Sequence, residues 1–178
     1  MSKIWEYESS KDDKLSKKVE KDPDIVMTNP DMAKYLLSTI KLEEGSIVLE
    51  PCRGKGAFYN NFPTNTINKY CEINEGIDFL EYNEKVDYII SNPPFVPRKL
   101  FWSFQQKAMD ICNKEIYWLI NLSSLNVFTP NRLEEMKEKG WYIQNFHIVA
   151  DKRWYGRYVF IKISKEQNNV FSWNPKCF

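Results

Sequence analysis

Histidine and closely spaced cysteines are scarce in this 178-residue sequence, and the scarcity excludes whole classes of site. The single histidine, His147, stands in a stretch that alternates apolar and polar residues, where we expect a structural role. The four cysteines are scattered and form no CxxC pair, which argues against a zinc site and against a secreted disulfide framework. No Ser/His/Asp grouping is visible either. We therefore expect neither a metal centre nor a hydrolytic triad.

An excess of one charge sign and long apolar runs are also missing. The 25 Lys and Arg residues nearly balance the 24 Asp and Glu residues, so bulk charge neither demands nor excludes a nucleic-acid partner. No apolar run has the length of a membrane span, and the N-terminus has no apolar signal segment. We expect a soluble protein of the cytoplasm or of a host cell's interior, with no membrane partner.

The sequence is organised as an arm followed by one domain. Residues 1–24 mix both charge signs with few apolar positions and predict a mobile or helical N-terminal arm. Residues 25–178 suffice for one ordinary hydrophobic core. They alternate short runs rich in Ile, Val, Tyr and Phe with helical segments, which predicts an α/β fold. The predicted strands are SIVLE, TINKYCEI, VDYIIS, EIYWLINL, WYIQNFHIV and RYVFIKI, and the predicted helices are PDMAKYLLSTIKL, RKLFWSFQQKAMDICNK and TPNRLEEMKEKG.

The first predicted helix has an amphipathic pattern. Its apolar residues recur near a period of 3.6, and Pro30 suits the first helical position. The residues with this spacing are Met32, Tyr35, Leu36 and Ile40.

A glycine-containing turn follows the first predicted strand, in the stretch LEPCRGKGAF. Ligands of open α/β sheets bind beyond the carboxyl ends of the strands, so residues at this position are candidates for a binding site. Gly54 and Gly56 allow the backbone to approach a ligand, and Glu50 suits a positively charged group. A plain turn and a solvated acid would explain the same residues.

The second predicted strand ends on Glu72, about twenty residues beyond the glycine turn. An acid at this position is suited to accept hydrogen bonds from ribose hydroxyls, so the ligand resembles a nucleoside. Asp78 could accept a bond from an adenine amino group. Phe79 suits either contact with the adenine ring or a place in the core.

The third predicted strand ends in the stretch SNPPF. Pro93 and Pro94 remove two N–H donors and stiffen the loop, which leaves the Asn92 side-chain oxygen and main-chain carbonyls as acceptors. Two acceptors that hold the protons of a conjugated NH₂ group favour a tetrahedral nitrogen and return its lone pair for attack. Phe95 would stack on the ring that carries the amine. The loop therefore indicates chemistry on an exocyclic amino group. The alternative, a rigid loop that only closes the strand, explains one proline better than two flanked by Asn and Phe.

These motifs together resemble the class I S-adenosylmethionine-dependent methyltransferases that act on exocyclic amino groups, chiefly N6 of adenine. SNPPF looks like their catalytic tetrapeptide, LEPCRGKGAF like their cofactor motif, and MTNP like the segment before their first helix. The motif order is similar to that of gamma-type DNA adenine methyltransferases, and the likeness covers about residues 25–165. It implies a Rossmann-like α/β fold with a mostly parallel sheet.

The resemblance also implies roles for individual residues. The catalytic residues would be Asn92, Pro93, Pro94 and Phe95. The residues around S-adenosylmethionine would be Thr28, Asn29, Pro30, Glu50, Cys52, Gly54, Gly56, Phe58, Glu72, Asp78, Phe79 and Asn92. The substrate-binding residues would be Phe95, Arg98, Lys99, Arg132, Lys152, Arg153 and Arg157.

Two departures from the family pattern affect these expectations. Arg53 stands in the cofactor turn where the family has a small or neutral residue. Only about fourteen residues separate Glu72 from Val86, too few for the usual helix, strand and helix, so we expect a sheet trimmed by its edge strand. No target-recognition domain is visible after the last strand. We therefore expect relaxed specificity, a homodimer or a separate recognition subunit.

The C-terminal half has features of a nucleic-acid partner. Between Arg98 and Lys162 there are eleven basic and six acidic residues, which favours a polyanionic substrate. The stretch DKRWYGRYVF interleaves basic and aromatic residues, as phosphate contacts and stacking platforms do. In an alternative reading, its Trp154 and Tyr155 cover the core of a hairpin.

The leading hypothesis is N6-adenine methylation of DNA. RNA is the next substrate, followed by a protein glutamine amide, since a related N-P-P-Y motif serves release-factor methyltransferases. A catalytically silent cofactor-binding subunit is the alternative outside enzymes.

Overall fold

The computed structural model of the chain describes residues 27–151 and 157–167. The predicted arm, residues 1–24, lies outside the described residues. Within them, all six predicted strands are present and form one sheet: β1 (Ile47–Glu50), β2 (Ile67–Tyr70), β3 (Val86–Ser91), β4 (Cys112–Asn121), β5 (Tyr142–Val149) and β6 (Tyr158–Ser164).

The strand order is β2-β1-β3-β4-β6-β5. β2, β1, β3 and β4 pair in parallel, and β6 is antiparallel to both β4 and β5. Only β6 therefore runs against the others, which confirms the predicted mostly parallel sheet. Between β2 and β3 the chain forms two short 3-10 turns, Ile73–Glu75 and Phe79–Glu81, so β2 is the last of the described strands on its side. The predicted trimming of the sheet is confirmed.

In the described part of the chain, three helices pack on the sheet: α1 (Pro30–Ser38), α2 (Arg98–Ile111) and α3 (Pro130–Glu138). α1 begins at Pro30 because the side chain of Asn29 accepts a hydrogen bond from the Asp31 N–H and caps the helix. It ends earlier than the sequence predicts. Its apolar face is also shifted, since Ala33 and Leu36 are buried whereas Tyr35 is 51% exposed.

The core has two parts, one on each face of the sheet. Consecutive side chains of a strand point to opposite faces, and Val48 and Leu49 accordingly belong to different hydrophobic clusters. The cluster of Leu49 also contains Phe101 and Trp118, and α2 covers it. The cluster of Val48 contains Leu36 of α1. Both faces must be covered because the parallel strands are apolar on both sides.

The two outer strands leave apolar surface exposed. Ile67 of β2 is 53% exposed, and Ile148 of β5 is 62% exposed. Among the described residues, no helix has the length and apolar character needed to cross a membrane.

Candidate active site

A cleft lies at the carboxyl ends of β1, β2 and β3. Its cavity volume is about 230 Å³, and the cleft is open to solvent on one side. The parallel arrangement brings the ends of these strands to one edge of the sheet and so assembles residues far apart in sequence. The lining residues are Met27, Thr28, Glu50, Cys52, Arg53, Gly54, Lys55, Ala57, Glu72, Ile73, Asn74, Asn92, Pro93, Pro94 and Phe95.

Glu50 is a buried acid on the floor of the cleft, 2% exposed. Its Oε2 accepts a hydrogen bond of 2.7 Å from the Tyr59 N–H, which holds the glycine-containing turn against β1. Burial raises the pKa of Glu50 from 4.5 to about 8, although the Tyr59 hydrogen bond and the charge of Arg53 oppose that rise. At neutral pH the side chain is therefore largely protonated until a cation approaches it.

Glu72 and Gly54 form the side of the cleft next to β2. Glu72 Oε2 accepts a 2.7 Å hydrogen bond from the Gly54 N–H, and its Oε1 accepts a 3.2 Å bond from the Asn74 N–H. Gly54 has a φ of +51°, a conformation that L side chains rarely adopt, and a Cβ built there would lie 3.3 Å from Met27 Sδ. The carboxylate thus locks the turn and reaches the cleft at the same time.

Arg53 lines the cleft, but its charged group is engaged elsewhere. The guanidinium carbon lies 4.0 Å from the centre of the Tyr70 ring, and Nη2 donates to Glu75 in an ion pair. The departure from the family pattern therefore places a charge beside β2 and not in the middle of the cleft.

The SNPPF loop forms the opposite wall. Asn92 is half-buried, and its Nδ2 donates a 3.2 Å hydrogen bond to Thr28 Oγ1. Because this bond directs the donor end of the amide towards Thr28, the acceptor oxygen lies on the other side of the amide group. Pro93 is buried, and Phe95 is half-buried between the two hydrophobic clusters. The loop is thus a rigid wall with an oriented amide.

Several residues predicted to contact the cofactor lie outside this cleft. Phe79 is in the core against Phe104, with ring centres 5.0 Å apart, and Phe58 is fully buried against Phe160. Asp78 caps a 3-10 turn by accepting from the Leu80 N–H and lines a separate depression.

The remaining residues of this set flank the cleft. Asn29 caps α1, Pro30 begins it and is exposed, and Gly56 is buried within the turn. Gly56 has a φ of +77°, and a Cβ built on it would lie 2.8 Å from Asn60 Nδ2. The conformation of the turn therefore explains why position 56 is a glycine.

The basic residues predicted to bind the substrate are placed unequally. Arg98 and Lys99 are exposed in the first turn of α2, directly after the SNPPF loop, and Arg157 is exposed before β6. Arg132 packs over the Trp102 ring at 4.8 Å and donates to the Val127 carbonyl, so it stabilises the packing of α3 on α2. Lys152, Arg153, Trp154 and Tyr155 lie outside the described residues.

Besides Arg53, five lining residues were not expected as contacts from the sequence. Ile73 and Asn74 follow Glu72 directly, and Lys55 and Ala57 are in the glycine-containing turn. These four residues are next to predicted contacts in the sequence, and this proximity could have identified them as lining residues. Met27 belongs to the MTNP segment, but its position over Gly54 depends on a contact between distant parts of the chain.

Comparisons with known proteins agree on the fold. No protein-family profile and no curated protein sequence matches the chain. Among solved structures, magnesium protoporphyrin IX methyltransferase from Synechocystis PCC 6803 with bound S-adenosylmethionine has a TM-score of 0.57 at 8% identity, over 76% of this chain and 77% of that chain. The 23S rRNA methyltransferase ErmE has a TM-score of 0.60 at 12% identity, over 82% and 72%.

A third structure with this fold is the E. cuniculi Mtq2–Trm112 complex, which is responsible for methylation of the termination factor eRF1. Its TM-score is 0.58 at 17% identity, over 81% of this chain and 99% of that chain. At such low identities the likeness is one of fold. The chain therefore has the Rossmann-like fold of the class I S-adenosylmethionine-dependent methyltransferases.

Proposed function

We propose that the protein transfers a methyl group from S-adenosylmethionine to the exocyclic N6 amino group of adenine in DNA. The observation that carries the proposal is the SNPPF loop at the end of β3. It places the Asn92 amide, oriented by Thr28, in the same cleft as the buried acids Glu50 and Glu72.

The residues of the cleft fit S-adenosylmethionine chemically. The cofactor carries an ammonium and a sulfonium group, and Glu50 is a buried acid whose pKa of about 8 leaves it ready to ionise beside a cation. Gly54 presents main chain without a side chain at the cleft surface. Glu72 has carboxylate oxygens at the end of β2, where ribose hydroxyls bind in related sheets. When bound, S-adenosylmethionine supplies the methyl group and its thioether leaving group.

The chain's own contribution to the reaction is to position the amine. The Asn92 oxygen and a main-chain carbonyl of the proline pair accept hydrogen bonds from the two amine N–H groups, so that the nitrogen lone pair points along the line of transfer. Phe95 stacks on the ring, and the prolines keep the loop from relaxing. After transfer the positively charged amine loses a proton to water. No strong general base is required, and His147 takes no part.

Charge favours nucleic acid as the substrate. Arg98 and Lys99 are exposed directly beyond Phe95, where phosphates next to an inserted base would lie. In a duplex, the adenine must first leave the stack, at a cost of a few kcal/mol. RNA offers the same base, and ErmE has the same fold.

A protein glutamine amide is the second candidate. Its NH₂ group is conjugated like that of adenine and would fit the same acceptors, and the fold is shared with the E. cuniculi complex that methylates eRF1. A silent cofactor-binding subunit is the third candidate, but it would not need Asn92 in its present orientation.

The direct experiment is transfer of a tritiated methyl group to DNA, RNA and protein, followed by mass spectrometry of the nucleosides. We expect N6-methyladenine from DNA. Label in glutamine would replace the proposal with the second candidate, and no transfer together with no cofactor binding at millimolar concentration would contradict enzymatic function altogether.

Asn92→Ala tests the role of the loop. It should abolish transfer while leaving cofactor affinity nearly unchanged, because the lost interaction acts in the transition state. Asn83→Ala, at an exposed asparagine before β3, is the matched control and should keep full activity. An Asn92→Ala protein that retains a tenth of the wild-type rate would contradict the assignment.

A further inference from the structure

A second groove lies beside the candidate active site, between α1 and the end of β5. It contains about 1090 Å³ of empty space, part of it open to solvent, and is lined by Asn29, Asp31, Met32, Tyr35, His147, Ile148, Val149, Ala150 and Asp151. Asn29 lines the groove, and its chain neighbour Thr28 lines the catalytic cleft and binds Asn92. The groove therefore starts one residue away from the contact that orients the catalytic amide.

The groove presents an aromatic surface to solvent. Tyr35 is 51% exposed, although it lies on a helix that packs against the sheet. Its hydroxyl is 3.2 Å from His147 Nε2, and the two rings lie 5.6 Å apart at a tilt of 53°. This contact joins α1 to β5 and limits the rotation of the tyrosine ring. A large aromatic ring held in an exposed position is a suitable platform for a planar ligand.

The charges in the groove select among planar ligands. Asp31 is acidic and exposed at the groove, so its carboxylate can accept hydrogen bonds from amino groups of a ligand. Nucleobases that carry amino groups have both required properties, a flat face and NH donors at the edge. The basic residues Arg98 and Lys99 lie instead on the side of the SNPPF loop. The two sides therefore suit different parts of one strand, its bases and its phosphates.

We propose that this groove binds the base of a nucleotide next to the target adenine, with Tyr35 as its stacking platform and Asp31 as an acceptor at its edge. The proposal rests on the proposed function, because it assumes a nucleic-acid strand in the neighbouring cleft. A flanking subsite gives a small enzyme a short sequence context without a separate recognition domain. It also favours single strands, in which the flanking base is already free to turn outwards.

Abasic scanning tests the subsite. Single-stranded oligonucleotides with one target adenine carry an abasic sugar at each neighbouring position in turn, and the initial methylation rate is measured against substrate concentration. With the wild-type protein, one position should raise KM roughly 5- to 100-fold, the usual range for one stacked base, with kcat nearly unchanged.

Variants of Tyr35 test whether the base at the sensitive oligonucleotide position binds in the groove. Tyr35→Ala should show the raised KM with the intact oligonucleotide and no further rise with the abasic one. Tyr35→Phe keeps the ring and loses the hydroxyl near His147, so it should stay within about threefold of the wild type. Tyr142→Ala, at a half-exposed tyrosine at the other end of β5, is the matched control and should behave as the wild type.

The outcomes separate this proposal from the proposed function. If the wild-type protein methylates adenine but no abasic position changes KM, or if Tyr35→Ala leaves the abasic effect intact, the subsite is wrong and the proposed function stands. An equal loss in Tyr35→Phe and Tyr35→Ala would assign the effect to the His147 contact and overturn stacking. If the protein methylates a glutamine peptide and no oligonucleotide, both proposals are wrong.

Discussion

Replacement of Glu50 by glutamine is the sharpest test of the electrostatics of the cleft. The glutamine amide has nearly the same shape, and its oxygen can still accept the hydrogen bond from the Tyr59 N–H. It cannot ionise. The substitution therefore removes the ability of Glu50 to ionise and leaves the packing of the turn almost unchanged.

The sign and size of the effect follow from the pKa. Below pH 4.5 Glu50 is protonated in the folded and in the unfolded chain, and its contribution to stability is fully present. Between 4.5 and about 8 the unfolded chain ionises while the folded chain does not, so stability falls as the pH rises and levels off above about 8. The interval corresponds to about 5 kcal/mol at most, at about 1.4 kcal/mol per pKa unit.

Urea denaturation at pH 5 and at pH 8.5 measures this contribution. In the wild-type protein the free energy of unfolding should fall between these pH values by several kcal/mol more than in the Glu50→Gln protein. Glu44→Gln, at an exposed acid before β1, is the matched control and should keep the wild-type difference. An equal pH dependence in the wild-type and Glu50→Gln proteins would refute the reasoning.

The same ionisation should accompany binding of the proposed cofactor. A cation beside Glu50 favours the carboxylate, so up to one proton should leave per S-adenosylmethionine bound near pH 7. Calorimetric titrations in buffers with different ionisation enthalpies count this proton. The Glu50→Gln protein should release none and should bind more weakly. Proton release that is unchanged in the variant would show that another group titrates.

Three further predictions concern the turn, the second acid and the sheet edge. Gly56→Ala should destabilise the fold by about 2–4 kcal/mol in the urea assay, because a φ of +77° disfavours a Cβ and that Cβ would also crowd Asn60. Gly45→Ala should cost only about 1–2 kcal/mol, because Gly45 has a similar φ of +73° but no atom lies within 4 Å of the added Cβ. Equal losses would show that Asn60 moves aside freely. Glu72→Ala should weaken cofactor binding by about 1.5–3 kcal/mol in calorimetry, as expected for a hydrogen bond to a charged group, and unchanged affinity would remove Glu72 from the ribose site. The exposed edge of β2 should support a homodimer in light scattering at micromolar concentration, and a single species of about 21 kDa would count against it.

The sequence predicts the strands better than it predicts the helix faces. Strands here are runs of β-branched and aromatic residues whose local preference agrees with burial on both faces, so all six were identified. In α1 the spacing placed Tyr35 on the apolar face of the helix, but the side chain is 51% exposed. Spacing alone does not say which edge of an amphipathic face meets the sheet, and Ala33, which the spacing did not include, is fully buried.

For the candidate site, the sequence by itself determined which loops matter. Glu50, Glu72 and Asn92 each end or follow a strand, and parallel strands bring those ends together, so their presence in one cleft follows from the pattern. The interval between Glu72 and Val86 likewise determined that no strand is added between β2 and β3, because the chain there is too short for another strand and its connections.

Tertiary structure decided how each side chain is used. Phe79 and Asp78 follow Glu72 closely in sequence, but the chain turns at Gly76, which sends Phe79 into the core and Asp78 to another depression. The orientation of Asn92 depends on Thr28, 64 residues away, and the raised pKa of Glu50 depends on everything that buries it. Local sequence encodes neither property, since desolvation and contacts between distant residues arise when the sheet assembles.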